Sequence, residues 1–267
     1  MRSLGVTSAV LGGSAGLVYV IFIGLPVAAL LFKSAQQGGM LESLSSDFAV
    51  SALKLSLVTS AIAMAVVVLV GTPFAYLLAR SGSRMLRLVD SLVELPIVLP
   101  PVVAGVAMLM AFGRQGILGP YLTGLGINLP FTAAAVVCAQ IFVAAPFYIR
   151  SAKIGFQSVA KEYEDISQTL GASPIGTFLR LTLPLAAPSM MAGLALAWAR
   201  AVSEFGATMM FAGNLTGKTQ TLPLAIMTAL QSDLSEALAL SVLLMAGAVL
   251  VLVAMGFATR RRWQGRI

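Results

Sequence analysis

Residues 55–79 read LSLVTSAIAMAVVVLVGTPFAYLLA, a stretch with no charged side chain between Lys54 and Arg80. About 20 helical residues cross about 30 Å of hydrocarbon, so this stretch is long enough to span a bilayer. It is also too apolar to form a water-facing surface. Equally charge-free runs occupy 3–32, 95–113, 115–149 and 237–259, and a further apolar stretch, 181–211, is interrupted only by Arg200 and Glu204.

Composition agrees with these runs. Of the 267 residues 58% are hydrophobic and 10% charged, with a mean hydropathy of +0.95. A soluble domain carries about a quarter charged residues, so the chain could not cover a water-facing exterior. Disorder is excluded for the same reason. There is no histidine and one cysteine, Cys138, which rules out an intrachain disulfide, a Cys/His metal site and histidine acid–base chemistry. The net charge of +7 would point a soluble protein towards nucleic acid. Here the basic residues fall in short runs between apolar stretches, as membrane topology requires, and no nucleic-acid partner is expected.

The runs predict an all-α, polytopic membrane protein, a single transmembrane domain over 1–267. Its six helices are expected near 9–32, 54–79, 92–112, 131–150, 185–211 and 237–259. The run 115–149 is too long for one span, and its first half, with Gly116, Gly119, Pro120, Gly124, Gly126, Asn128 and Pro130, reads as loop. Lys- and Arg-rich loops stay cytoplasmic. One side collects Arg2, Arg80, Arg84, Arg87, Arg150, Lys153, Lys161, Arg180, Arg260, Arg261, Arg262 and Arg266, while the other holds only Lys33, Lys54, Arg114 and Lys218. Both termini are therefore expected in the cytoplasm, with 36–48 and 213–232 outside. The first apolar run exceeds the about 7–15 residues of a signal-peptide core, which favours an uncleaved first helix.

Several local patterns have two readings. Gly12 and Gly16 form a GxxxG pair that would let another helix approach closely, a pattern chance also produces in spans rich in small residues. Residues 213–219, GNLTGKT, contain the sequon Asn214-Leu215-Thr216 and look like a phosphate loop. They are one residue short before the Gly-Lys pair and no strand precedes them, so an external turn is expected. The methionines Met108, Met110, Met190, Met191, Met209 and Met210 are read as adaptable packing residues. Pro96, Pro100 and Pro101 fall in the third helix and each removes a backbone donor. The freed carbonyls must be buried in protein or face water, which makes this a pathway-adjacent helix or one kinked for packing.

Between the fourth and fifth helices the chain changes character. Val159, Tyr163, Ile166 and Leu170 recur with the period of an amphipathic helix, among Lys161, Glu162, Glu164, Asp165 and Gln168. Gly171 is placed to end that helix in a left-handed cap. Ser173 before Pro174 predicts a second helix, with serine as N-cap and proline in the first turn, ending near 183–184. A helix lying on lipid would carry a basic polar face, whereas the acids at 162, 164 and 165 suit docking into a partner.

Here the sequence resembles a family. Asp165-Ile166-Ser167, three residues, Gly171, nine residues and Leu181-Thr182-Leu183-Pro184 are similar to the cytoplasmic signature of ABC importer permeases, acid-Ala-Ala, x3, Gly, x9, Ile-x-Leu-Pro. Asp for Glu, Leu for Ile, and Ile166 and Ser167 for two alanines are the departures. The resemblance implies that the loop at about 151–184 carries a coupling helix that enters a groove on a cytoplasmic ATPase, with Glu162, Glu164, Asp165, Gly171, Ala172, Leu181 and Pro184 as coupling residues. The stretch 198–207, WARAVSEFGA, with Gly213-Asn214 and TQTLPL at 219–224, resembles the permeases of molybdate, tungstate and sulfate importers. So do LPIVLPPVVAG at 95–105 and FGRQG at 112–116. The likeness covers about 50–267. It implies a non-catalytic subunit of a tetrahedral-oxyanion importer, molybdate or tungstate ahead of sulfate, binding no cofactor itself. ATP and magnesium would be held by two partner ATPase subunits. The remaining partners would be membrane lipid, an extracytoplasmic oxyanion-binding protein and a second permease, as a homodimer or, as sulfate systems tend to have, a heterodimer.

The competing reading is a self-contained secondary transporter or membrane enzyme. An ion-coupled carrier would show intramembrane acids or broken helices in two symmetric halves. The sequence offers one intramembrane acid, Glu204, four residues after Arg200, and no convincing repeat. On a helix starting near 185, Arg200 and Glu204 would lie about 22 Å and about 28 Å along one face. A charge at mid-helix costs about 2.5–3.5 kcal/mol on insertion scales, so the pair must face protein or water. It is read either as a structural ion pair or, with Ser203, Phe205 and Gly206, as the lining of a gate near the external mouth.

Overall fold

The computed structural model describes residues 2–264, with side chains described over 13–254 apart from Ala15 and Leu252. The surroundings of Gly12, the side chains of Arg2, Arg260, Arg261 and Arg262, and the whole of Arg266 lie outside what the structure describes. Among the described residues there are helices and no strands. Five helical stretches are long and apolar enough to cross a bilayer: Gly16–Gln37 within α1 (Arg2–Gln37), α3 (Asp47–Arg80), α8 (Ala133–Gln157), Pro174–Val202, and Leu234–Val251 within α14 (Leu234–Gln264). Short helix α2 (Met40–Ser45) joins the first two.

Helix α8 is the centre, packed between α3 and α11 (Leu183–Val202). The shared core is made of small residues and a few large ones: Ala63, Met64, Val67 and Ala75 of α3, Ala144, Tyr148, Ala152 and Phe156 of α8, Ala186, Met190, Ala197 and Ala201 of α11. Between membrane helices there is little hydrophobic gain from association, so close backbone approach across such residues supplies the packing. Tyr148, fully buried, shares a 2.6 Å hydrogen bond with Thr72. That satisfies a hydroxyl that would otherwise be stranded.

The third predicted span is not one helix. Its residues form α4 (Arg84–Val93), α5 (Leu95–Val98) and α6 (Pro101–Phe112), and the 84–98 and 101–112 segments meet at 120°. Lone prolines inside α1, α3 and α8, Pro26, Pro73 and Pro146, leave those helices continuous. Two in succession do not. Proline disfavours helical geometry in the residue before it, and here Leu99 (ψ 131°) and Pro100 (ψ 134°), each followed by a proline, are both extended. Pro96 does not kink anything; it sits in the first turn of α5, where a missing donor is harmless.

The fifth predicted span, 185–211, is also interrupted. Helix α11 ends at Val202, and α12 (Gly206–Phe211) begins after the non-helical Phe205. At its N-terminal end the expected stop near 183–184 is absent. Short α10 (Pro174–Thr177) passes through a π-helical turn, Phe178–Thr182, directly into α11. In an α-helix Pro184 would leave the Arg180 carbonyl without a donor and press its ring against it; one extra residue in the turn relieves this. The Leu183 N–H accordingly bonds to Phe178 O, five residues back.

The glycine- and proline-rich 115–130 segment is mostly turn, with one short helix, α7 (Gly119–Gly124). The segment 213–232 is not a plain external loop. Its second half is α13 (Leu222–Ser232), packed through Leu222, Ala225 and Ala229 against Ala49 and Ala52 of α3 and Ala237 and Leu240 of α14. The Leu222 N–H donates to Ser56 Oγ at 2.7 Å.

Helices α6 and α12 touch through glycine. A Cβ on Gly105 would stand 2.6 Å from Met210 Cβ and 2.9 Å from Ala207 O. One on Gly206 would stand 2.7 Å from Pro101 Cβ. Backbone cannot step aside as a side-chain tip can, so Gly105→Ala is expected to push the helices apart and destabilise by about 1–3 kcal/mol. Gly124→Ala meets open space and serves as control. Thermal unfolding of the purified proteins in detergent checks this; equal midpoints for the two variants would contradict the packing.

Candidate functional site

The segment that the sequence places in the cytoplasm is built on α9 (Lys161–Thr169). Its apolar stripe does not face the protein. Val159, just before the helix, is buried, but Tyr163 and Ile166 are each 56% exposed and Leu170 is 82% exposed. The inward position belongs to an acid. Glu164 is 6% exposed, and its Oε1 accepts hydrogen bonds from Arg80 Nη2 at 2.6 Å and Thr182 Oγ1 at 2.8 Å. Tyr76 OH donates more weakly to Oε2, at 3.3 Å. The Arg80 guanidinium also donates to Val159 O and lies 5.8 Å from the Tyr76 ring centre. Tyr76 in turn packs edge-on against Phe156 and Phe178. One carboxylate thus joins the end of α3, helix α9 and the π-helical turn.

The rest of the segment follows its local chemistry. Gly171 takes φ +91°, the Ala172 N–H returns to Ser167 O and the Gly171 N–H to Gln168 O. This is the paired 6→1 and 5→2 closure of a left-handed cap. Ser173 Oγ accepts from Gly176 N, as an N-cap should, and Ser167 and Thr177 share a hydrogen bond of 3.0 Å between α9 and α10. Of the expected coupling residues, Glu162, Asp165, Gly171 and Pro184 are exposed, Ala172 and Leu181 half-buried, and Glu164 turned inward. Sequence reading missed Arg80, Tyr76 and Thr182. The first two lie more than 80 positions from Glu164, where no periodicity links them.

The second constellation lies at the far end of α11. Arg200 and Glu204 pair at 2.7 Å, with side chains 27% and 0% exposed. They do not share one helix, because the chain leaves the helix between them. The contact is one of charge, since the guanidinium N–H is not aligned on Oε2. The other oxygen, Oε1, accepts the Ala207 N–H at 2.8 Å, so Glu204 also caps the start of α12. Ser203 is exposed, Phe205 half-buried and Gly206 buried. One turn further on, buried Thr208 has a hydroxyl with no protein partner.

The loop after α12 is a turn, as expected from its failure to match a phosphate loop. Thr219 Oγ1 accepts from Leu215 N and donates to Gly213 O, with Gly213 and Gly217 at positive φ. Gln220 donates to Asn214 Oδ1 at 2.9 Å, and Asn214 donates to Thr228 of α13 at 3.0 Å. The amide that the sequon would offer is therefore tied into the fold. Beside this loop a cavity of about 650 Å³ opens among Leu109, Met110, Arg114, Asn128, Phe131 and Thr132. Among the described residues no group of three or more acids and cysteines could hold a metal.

This architecture has relatives. Residues 71–264 match the binding-protein-dependent transport system inner membrane component family. The chain belongs to that family. As a member it is a multi-pass membrane protein, the permease component of a transport system. It is 41% identical over 242 residues, 90% of either chain, to the molybdenum transport system permease protein ModB of Mycobacterium tuberculosis. Identity is 39% over 230 residues, 85% of this chain and 79% of the relative, to the probable transport system permease protein NifC of Clostridium pasteurianum. It is 34% over 246 residues, 90% and 87%, to the probable sulfate transport system permease protein cysT of Nephroselmis olivacea. In fold the chain matches a component of a bacterial alginate ABC transporter in complex with a pentasaccharide-bound periplasmic protein, with a TM-score of 0.75 at 15% identity over 97% of this chain and 95% of that one.

The Glu164 clamp has a pH signature. Burial opposes ionisation of this carboxyl, but hydrogen bonds from Arg80 and Thr182 and the Arg80 charge outweigh it and hold the carboxyl below its usual range. A folded value below the unfolded one means that the stabilisation is complete above the usual carboxylate range and is lost as pH falls through the folded value. Glu164→Gln is expected to destabilise by up to about 3 kcal/mol, the low end of the range for stranding one partner of a buried pair, because Arg80 is partly exposed. Hydrogen exchange of 161–170 against pH checks this. Wild type should open on acidification and the variant should be open at all pH; identical profiles would refute the clamp.

Proposed function

We propose that the chain is the membrane-spanning subunit of an ATP-driven importer of a tetrahedral oxyanion, molybdate or tungstate ahead of sulfate, with both termini cytoplasmic. The relatives named for molybdenum and sulfate transport support the substrate class. Two permeases, as a homodimer, would sit on two ATPase subunits that hold the ATP and magnesium, and receive the anion from an extracytoplasmic binding protein. The observation that carries the mechanism is the uninterrupted helical path from Pro174 to Val202. At 1.5 Å per residue it is about 43 Å long. It links the cytoplasmic segment to the break beside Arg200 and Glu204.

On this reading the exposed Tyr163, Ile166 and Leu170 enter the groove of the ATPase, with Glu162 and Asp165 at its rim. When the ATPases close, the displacement of α9 is transmitted by the Glu164–Thr182 bond to the π-helical turn and by α11 to its outer end. There Arg200, Ser203, Glu204, Phe205 and Gly206 form the gate. Arg200 supplies an attractive field for the anion, and Glu204 balances it so that the anion is not retained. A self-contained carrier would have no use for an apolar stripe turned towards the cytoplasm.

Two sets of variants test these roles. Leu170→Asp puts a charge into the proposed interface and is expected to weaken ATPase binding about tenfold or more, leaving permease abundance unchanged. Gly171→Val strains the left-handed cap without a clash, since nothing lies within 4 Å of its Cβ, and should uncouple ATP hydrolysis from transport. Normal assembly and normal coupling in both would refute the docking face. For the gate, Glu204→Gln keeps an acceptor for Ala207 N and removes only the charge, while Arg200→Gln removes the attraction. Both should lower uptake of radiolabelled oxyanion at unchanged abundance. Loss of abundance alone would make the pair structural.

A further inference from the structure

We infer that α4 is an in-plane helix seated in the cytoplasmic membrane interface, where Arg84 and Arg87 hold the phosphate headgroups of anionic lipid. This rests on the membrane orientation proposed above and is independent of the transported substrate. Helix α4 starts a few residues after α3 ends at Arg80, at the same end of the bundle as α9. The α4–α5 segment meets α6 at 120°, so it lies within about 30° of perpendicular to that helix. At 1.5 Å per residue its 15 residues reach about 22 Å, short of the about 30 Å of hydrocarbon that a span must cross.

Its side chains sort into three sectors. Leu86 and Val93 pack on the protein core, and Asp90 pairs with Lys153 of α8. Met85, Leu88 and Leu92 are 69%, 64% and 65% exposed and, with Leu95, form one open apolar stripe. At about 100° per residue, Arg84 lies about 60° and Arg87 about 120° from the centre of that stripe, on the side away from the core. An apolar face buried to the acyl boundary beside a basic face at headgroup depth is the geometry of an interfacial helix.

Charge selects the occupant. Both acids of the segment are engaged by bases of α8: Asp90 by Lys153 and, more loosely at 3.8 Å, Glu94 by Arg150. Arg87 holds Gly82 O with one nitrogen, and Arg84 has no hydrogen-bond or ion-pair partner among the described residues. What the helix presents outward is therefore apolar surface and two uncompensated guanidinium groups. A second copy of this chain would bring the same two positive charges against themselves. An anionic leaflet neutralises them, and the guanidinium stems can reach its phosphates while their apolar length stays on lipid.

The full-length protein in lipid nanodiscs tests this in two ways. In a Cys138→Ala background, an environment-sensitive fluorophore at Leu88→Cys should be quenched by nitroxide-labelled lipid, whereas the same fluorophore at Lys161→Cys on α9 should not. No quenching at position 88, a disulfide between two such cysteines, or shielding of the label by the ATPase would overturn the inference. Separately, phosphatidylglycerol retained by the protein from a mixture with phosphatidylcholine is measured by mass spectrometry. Wild type should enrich it by about fivefold per guanidinium, falling with added salt. The enrichment should be lost in Arg84→Gln/Arg87→Gln and kept in Arg84→Lys/Arg87→Lys. Equal enrichment in the glutamine variant would overturn the headgroup assignment, and the quenching arm leaves both arginines in place.

Discussion

The buried carboxylate of Glu164 fixes which way α9 faces. At about 100° per residue, Tyr163, Ile166 and Leu170 centre about 130° away from Glu164 around α9. If the acid turns inward the apolar stripe must turn outward, and no other rotation satisfies both. Burying an ionised carboxylate is unfavourable unless charge and hydrogen bonds replace water. Arg80, Thr182 and Tyr76 supply that replacement from two different helices. The ordinary hydrophobic preference, which would roll α9 over onto its apolar side, is overridden locally. The result is an exposed apolar surface held rigidly on a small, well-anchored helix, the kind of surface that marks an interaction site.

How far the sequence revealed this depends on the range of the signal. Charge-free runs located the helices that cross the membrane, because the bilayer imposes a length and a polarity on each segment separately. The Gly171 cap and the Ser173 N-cap were equally legible, being requirements of a few consecutive residues. What escaped were consequences of neighbours distant in the chain. The spacing at 159, 163, 166 and 170 predicts an amphipathic helix correctly, but periodicity does not say whether the apolar side meets the protein or a partner. Arg80, at the end of a span, reads as a topology determinant until its partner 84 positions away is known.

The helix breaks teach a related lesson about proline. Residue by residue, Pro73, Pro146 and Pro184 have the same chemistry as Pro100 and Pro101, yet they end in three different structures. Lone prolines in α3 and α8 are absorbed with the helix intact. At Pro184 the helix adds a residue and becomes π-helical for one turn, which preserves the continuous path from Pro174 to Val202. Only the adjacent pair forces consecutive residues into extended geometry and turns the chain through 120°. The spacing of prolines, more than their number, thus separates a connecting rod from a corner.

Charge is distributed with the same economy. Among the acids at the α9 end of the bundle, Asp90, Glu94 and Glu164 are each met by a basic residue from a neighbouring helix, and Glu162 and Asp165 are left exposed on the side of α9 that faces away from the core. At the other end of the molecule Glu204 serves two purposes at once, neutralising Arg200 and capping α12 through a separate oxygen. The cap anchors Glu204 to the start of α12, while Arg200 belongs to α11, so the ion pair bridges the break between them. A shift of α11 relative to α12 must lengthen or reorganise that contact. The pair lies where a displacement begun at the Glu164 clamp would arrive, and a contact of charge without strict hydrogen-bond alignment tolerates such a shift better than a directional bond would.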